Sequence, residues 1–170
     1  EVLKVLLSGD EFNQEIQEGE KWYAAIVRYA QEQGIVSPRA MESYGKQATR
    51  IDVANYIYNY LQLRPSTNES VFTDVNIIDK KVAQTLYDEM LIAGYEENGA
   101  RYFKPSNTIT RAEAFSMLVN VIGYKEDQEA YKEQKLEAIQ AEEETIEPEE
   151  IVEPEEIIEP EEPIEPEKGP

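Results

Sequence analysis

The chain has 170 residues, contains no cysteine and no histidine, and carries a formal net charge of −20. This length allows one modest core with an appendage, and the missing residue types exclude disulfides, thiolate metal sites and the commonest general base. An acidic chain repels nucleic acid and anionic lipid, and no apolar run is long enough to cross a bilayer, so we expect neither nucleic-acid binding nor membrane insertion.

Apolar residues recur in the first 124 residues with a helical period. Two stripes with i, i+4 and i+8 spacing lie at a constant offset of 56 residues: Trp22, Ile26 and Ala30, then Ile78, Val82 and Leu86. This spacing is typical of helices that pack on one side. The sequence therefore predicts two outer helices, near residues 20–34 and 78–93.

A second repeated segment follows each outer helix. Thr49-Arg50-Ile51-Asp52 matches Thr110-Arg111-Ala112-Glu113 at an offset of 61, and Glu1-Val-Leu-Lys-Val-Leu-Leu7 has the character of the same helix a third time. In that first copy, Glu1 stands in the place of Glu113, so the chain would begin inside a truncated first unit. We expect closing helices near 1–8, 49–62 and 110–123. They should meet in one bundle, in which three side chains share a cluster: Leu6, Ile57 and Leu118.

The start of the last closing helix carries a capping signal. Thr110 can cap the helix while Glu113 reaches back to the amide of Thr110, which is a capping box. In the preceding unit Asp52 replaces the glutamate, so its shorter side chain predicts a weaker box. The apolar face of the last closing helix is expected at i, i+3, i+4 and i+7. Its residues would be Phe115, Leu118, Val119 and Ile122.

Capping does not explain Arg111 or Arg50. An arginine in the first helical turn lies against the positive end of the helix dipole, which is unfavourable for a cation. An anion beside the guanidinium would explain the placement. The residues leave two possibilities open: an intramolecular salt bridge to Asp or Glu, or a site for a carboxylate or phosphate ligand.

The last 46 residues differ in composition from the rest. Residues 125–145 are rich in good helix formers and predict an exposed charged helix, whose thin apolar face is formed by Tyr131, Leu136 and Ile139. Residues 146–170 repeat a Glu/Pro hexad, in which the prolines exclude a helix and the glutamates repel one another. We interpret this tail as a disordered spacer, with a partner-binding segment as the alternative.

An ordered set of short motifs lies between residues 72 and 113. The motifs are Phe72-x-Asp74-Val75, Gly94-Tyr95, Asn98-Gly99, Phe103-Lys104-Pro105 and Ile109-Thr-Arg-Ala-Glu113. Together they resemble the S-layer homology (SLH) family, whose members anchor exported proteins to bacterial cell-wall polysaccharide. The resemblance implies an all-α fold of repeated units, with closing helices in a central three-helix bundle and outer helices as prongs. The units would be 1–8 (truncated), 9–63 (degenerate) and 70–124.

The resemblance also implies a site. In the family, grooves between units hold a pyruvylated sugar of the secondary cell-wall polymer, and the arginine of the last motif pairs with its carboxylate. Carried onto this chain, the implied ligand-binding residues are Arg111, Asp74, Gly94, Arg50, Gly34, Trp22 and Lys104. Trp22 occupies the family's tryptophan position, although we favour a core anchor for it over sugar stacking.

The second unit departs from the family pattern. It lacks the Phe-x-Asp-Val opening, unless Glu11-Phe12 is its remnant, and it has lost the Gly-Tyr and Phe-Lys-Pro elements. Two hypotheses therefore lead: a noncatalytic wall-anchoring module at the cell surface, or an SLH-like structural domain that contacts other surface proteins and has lost polysaccharide binding. An enzyme is the least favoured, since no nucleophile motif or carboxylate pair stands out. The sequence predicts no catalytic residue, metal site or cofactor.

Overall fold

The computed structural model describes residues 2–8, 15–39 and 41–145. Its helices are α1 (Val2–Leu6), α2 (Ala24–Glu32), α3 (Arg50–Tyr60), α4 (Ile77–Asp88), α5 (Arg111–Glu126) and α6 (Gln128–Thr145), with a short 3₁₀ turn at Met41–Gly45. Strands β1 (Tyr95–Glu97) and β2 (Ala100–Tyr102) lie between α4 and α5. The predicted helical class is confirmed. The predicted spacer at 146–170 and the Glu11-Phe12 remnant lie outside the described residues.

The three closing helices contact one another. Each of α1, α3 and α5 packs against the other two, and Leu6, Ile57 and Leu118 belong to one buried cluster. Helix α2 packs on α1, and α4 packs on α3. Each outer helix therefore covers the closing helix that precedes it in the chain.

Burial follows the repeat in the two outer helices. Ala30 and Leu86, which are equivalent at the offset of 56, are both completely buried. The first residue of each stripe was expected to be buried but is not, since Trp22 is 61% exposed and Ile78 is 83% exposed. Trp22 precedes the first residue of α2, and Ile78 lies in the first turn of α4, before its buried face begins at Ala83. The expectation that Trp22 anchors the core is wrong.

The buried face of α5 is not the one expected. Leu118 is buried as predicted, but Phe115, Val119 and Ile122 are 65%, 46% and 53% exposed. The face that contacts the core consists of Ala114, Met117, Leu118, Val121 and Tyr124. Both sets have helical spacing, since α5 is apolar around much of its circumference, so the period alone does not select the packed face.

A β-hairpin corrects the all-α prediction. Strands β1 and β2 are antiparallel, with Tyr95 opposite Tyr102 and Glu97 opposite Ala100. The two residues between them, Asn98 and Gly99, both have positive φ, which is the backbone that a type I′ turn requires. Asn-Gly is the strongest short hairpin signal in a sequence, so this element could have been predicted.

One side-chain contact recurs in both units. Asn59 of α3 donates to the carbonyl of Ile35 at 2.9 Å, and Asn120 of α5 donates to the carbonyl of Leu91 at 3.0 Å. The two asparagines are 61 residues apart and the two carbonyls 56 apart. These two contacts therefore recur with the offsets of the sequence motifs.

Helix α6 is docked at its first turns. The hydroxyl of Tyr131 donates to the carbonyl of Met90 at 2.8 Å, and its ring lies edge-on to Tyr124 at a centroid distance of 5.9 Å. Tyr131 is buried, whereas Leu136 and Ile139 are each 46% exposed. The predicted exposed helix is therefore anchored by Tyr131 in its first turn, and its apolar side chains further along are exposed.

Candidate functional site

Both predicted capping boxes are present. Thr110 Oγ1 accepts from the amide of Glu113 at 3.2 Å, and Glu113 Oε2 accepts from the amide of Thr110 at 2.8 Å. In α3 the same exchange joins Thr49 and Asp52, with distances of 3.3 and 3.0 Å. The shorter aspartate still closes the box, so both helices begin in the same way.

The arginine that follows each cap has a different environment. Arg111 is exposed, and its side chain has no hydrogen bond or ion pair within residues 2–8, 15–39 and 41–145. The side chain of Arg50 is only 11% exposed, and its Nη2 donates to Glu113 Oε1 at 2.5 Å. The salt bridge that the sequence allowed for either arginine therefore forms at Arg50.

Tyr95 completes the surroundings of Arg50. Its hydroxyl accepts from Arg50 Nη2 and donates to Glu113 Oε1 at 2.5 Å, and Arg50 Cζ lies 4.7 Å from the ring centroid. Arg50 Nε is buried and has no hydrogen-bond partner within the described part of the chain. The start of α3 is thus joined to the hairpin and to the cap of α5.

The carboxyl of Glu113 is strongly biased towards its charged form. Hydrogen bonds from Tyr95, from the amide and hydroxyl of Thr110, and from Arg50 lower the pKa of Glu113 to about 2. The pKa of Tyr95 is raised, mainly by burial and secondly by its hydrogen bond to the carboxylate of Glu113. The cluster therefore holds one fixed anion, Glu113, against one nearly buried cation, Arg50.

Lys104 brings a second cation to Tyr95. Its Nζ lies 4.5 Å from the ring centroid of Tyr95 and forms an ion pair with Glu97. Asp74 fixes the backbone at this point, since its two oxygens accept from the amides of Phe103 at 2.8 Å and Lys104 at 2.7 Å. Asp74 positions Lys104 through the main chain, and its own direct contact with a ligand stays a prediction.

The two glycines in the predicted set have different surroundings. A Cβ at Gly94 would lie 2.5 Å from a ring carbon of Phe72 and 2.9 Å from the carbonyl oxygen of Tyr102, so no larger residue fits beside the hairpin. Gly34 ends α2, and open space surrounds the position of its missing Cβ. Binding roles for both glycines remain predictions.

The structure brings together part of the predicted set. Arg50 and Lys104 contact Tyr95, and Asp74 holds the backbone of Lys104. Gly34 and Trp22 belong to the α2 region and, among the described residues, make no hydrogen bond, ion pair or ring contact with this cluster. Sequence reasoning did not include Tyr95 and Glu113 as site residues. Tyr95 was signalled by its place in the Gly94-Tyr95 motif, but nothing in the sequence indicated that Glu113 would reach Arg50.

Comparison with protein families identifies the segment that holds most of this cluster. The family model described as the S-layer homology domain matches residues 71–115. This stretch is similar to an S-layer homology domain. The SLH match begins just before Phe72 and Asp74, includes the hairpin and Lys104, and ends inside α5 after Arg111 and Glu113. Arg50, Gly34 and Trp22 precede the matched residues.

SLH domains are cell-surface modules that commonly attach proteins to wall polysaccharide, and they are noncatalytic. Searches of curated proteins and of solved structures found no significant match to this chain. In the described residues, no helix combines the length and the apolar character needed to cross a bilayer.

Proposed function

We propose that this chain is a noncatalytic anchoring module of an exported bacterial surface protein. Its ligand would be an anionic, pyruvylated secondary cell-wall polysaccharide, bound in grooves between repeated helical units. The SLH match at residues 71–115 supports the general role. The specific role, binding of an anionic ligand, rests on Arg111. This cation is exposed and has no partner among the described residues, although the chain has 36 acidic residues against 16 basic ones.

Arg50 supports a carboxylate ligand by analogy within the same chain. It stands at the equivalent position, one residue after the capping threonine, and binds the carboxylate of Glu113 at 2.5 Å. A guanidinium at this point of the repeat is therefore well placed for a carboxylate. Because a planar guanidinium matches a carboxylate with two parallel bonds, we assign Arg111 the pyruvyl carboxylate.

The repeat pattern supports the proposed architecture. Helices α1, α3 and α5 would be the closing helices of three units, with α2 and α4 as the outer prongs of the second and third. The shared cluster of Leu6, Ile57 and Leu118 supports this arrangement, as do the matched contacts of Asn59 and Asn120. One groove would then lie where the start of α3 meets the hairpin of the third unit, and Arg111 would line a second groove at the start of α5.

The direct test is cosedimentation with purified bacterial cell walls. We expect the chain to sediment with intact walls and to stay in solution after the secondary polymer has been removed chemically. Retention by both preparations would show that the protein binds peptidoglycan or bound protein instead. Failure to sediment with either would contradict the anchoring proposal.

One observation favours the alternative of an SLH-like domain that contacts other proteins. The two cations of the groove before the third unit are already neutralised, since Arg50 is paired with Glu113 and Lys104 with Glu97. A groove without free cations suits a structural role. Binding to wall protein but not to polymer in the same experiment would place this alternative first.

A further inference from the structure

The hydrogen-bonding capacity of Arg50 is only partly used. Its Nη2 donates to Glu113 and Tyr95, but its Nε is buried and lacks a partner among the described residues. A carboxylate binds a guanidinium best with two parallel bonds, and Glu113 offers a single oxygen. A buried donor left without a partner is rare in native structures and calls for an explanation.

Glu113 cannot offer both oxygens without losing its second role. Oε2 accepts from the amide and from the hydroxyl of Thr110, both at 2.8 Å, and this bond closes the cap of α5. Oε1 alone is directed at Arg50 and Tyr95. The contact with Arg50 is therefore an incomplete version of the one that a free carboxylate would make.

We propose that Glu113 occupies Arg50 as an internal substitute for the carboxylate of an acidic sugar. The groove between the start of α3 and the hairpin would then admit an anionic saccharide only when the sugar displaces Glu113. This inference rests on the proposed function and adds an internal competitor to one of its grooves. Glu113 keeps its cap through Oε2 during the exchange, so displacement costs the contact with Arg50 and Tyr95 but leaves the helix start intact.

The surroundings of Arg50 suit a sugar acid once Glu113 has moved. A ligand carboxylate on Nη2 and Nε would satisfy the buried donor. Lys104 brings a second cation to the ring of Tyr95, although it is already paired with Glu97. Arg111 has no such competitor, so the two grooves would differ in affinity although their arginines are equivalent in sequence.

The test uses two substitutions of Glu113 in an Arg111→Ala background, which leaves Arg50 as the arginine under study. Glu113→Asp retains the charge and the cap, as Asp52 does at the equivalent position of α3, but withdraws the carboxylate from Arg50. Glu113→Gln removes the charge. Cosedimentation with pyruvylated walls should show about tenfold tighter binding for both variants, because a charged hydrogen bond no longer has to be broken.

Two controls make the result specific. Adding Arg50→Ala should abolish the gain, and Asp52→Asn, which removes the corresponding charge from the other capping box, should produce none. Circular dichroism confirms that each variant is helical. Helical variants without a gain overturn the inference, and so does a gain that persists without Arg50. If the wild type binds walls and the variants show no gain, only the inference falls; if neither wild type nor variants bind, the proposed function falls with it.

Discussion

At the scale of single residues, the carboxyl of Glu113 should make the free energy of unfolding depend on pH. Its folded-state pKa of about 2 lies below the ordinary value of 4.5, so the folded state binds this proton less readily than the unfolded state. The corresponding stabilisation is complete above the ordinary pKa and is lost as the pH falls towards 2. We expect Glu113→Gln to lower the free energy of unfolding at pH 7 and to differ much less from the wild type near pH 2.

Urea unfolding at pH 7, 5 and 3 measures this dependence. The exposed Glu137, in α6, provides the control, because Glu137→Gln removes the same charge from outside the cluster of Glu113, Arg50 and Tyr95. A constant difference between Glu113→Gln and the wild type at all three pH values would contradict the coupling of Glu113 to Arg50, Thr110 and Tyr95.

Gly94 and Gly34 should differ in how much stability the protein loses when a side chain is added. Both have positive φ, but a Cβ at Gly94 would clash with Phe72 and with the carbonyl of Tyr102, whereas at Gly34 it would meet open space. Gly94→Ala should cost about 2–4 kcal/mol, from backbone strain plus overpacking, and Gly34→Ala about 1 kcal/mol from strain alone. Thermal unfolding of both variants measures the difference. Equal losses would show that the hairpin can yield at Gly94.

At the scale of elements, three helix ends share one backbone arrangement. Helices α2, α3 and α4 are followed by a residue with positive φ, namely Gly34, Gln62 and Met90, and two amides at each end bond back to the last turn. This is a Schellman motif, in which glycine is the preferred residue. Two of the three helices therefore end on a residue that is strained at this position.

Gln62→Gly should stabilise the protein by about 0.5 kcal/mol. Relief of left-handed strain exceeds the added entropy of the unfolded chain, and the exposed side chain of Gln62 contributes little packing. Gln33→Gly is the matched control, because Gln33 has right-handed helical φ and ψ and gains no relief, so it should destabilise. A lower melting temperature for Gln62→Gly would contradict the assignment of strain.

The elements show what the sequence could predict and why the rest escaped. The capping boxes depend on residues three apart, so Thr110 with Glu113 and Thr49 with Asp52 were predicted from local spacing. The packed face of α5 depends on which neighbouring helix covers it. In α3 the residue equivalent to Phe115 is Ala54, which is fully buried in the helix that α4 covers. The helical period was predicted correctly from the sequence. Which face of α5 is buried could not be predicted, because it depends on the tertiary contacts of the helix.

At the scale of the whole molecule, the repeat explains why two equivalent arginines differ. Arg50 faces the hairpin and the cap of α5, which supply Tyr95 and Glu113. The sequence identified both arginines as cations that need an anion, but the partner of Arg50 lies 63 residues away along the chain. Such a pair forms only when two units pack together, so its existence could not be inferred from either motif.

The central claim is that Arg111 binds the pyruvyl carboxylate of the wall polymer, and cosedimentation with walls that carry or lack the pyruvyl group tests it most directly. Arg111→Ala should weaken binding to pyruvylated walls about ten- to a hundredfold, because a charge-assisted bond to an arginine contributes roughly 1.5–3 kcal/mol. Arg111→Lys should restore binding in part, since an ammonium lacks the planar fork. Arg50→Ala should have a smaller effect. Equal binding by the wild type, Arg111→Ala and Arg50→Ala would contradict the account.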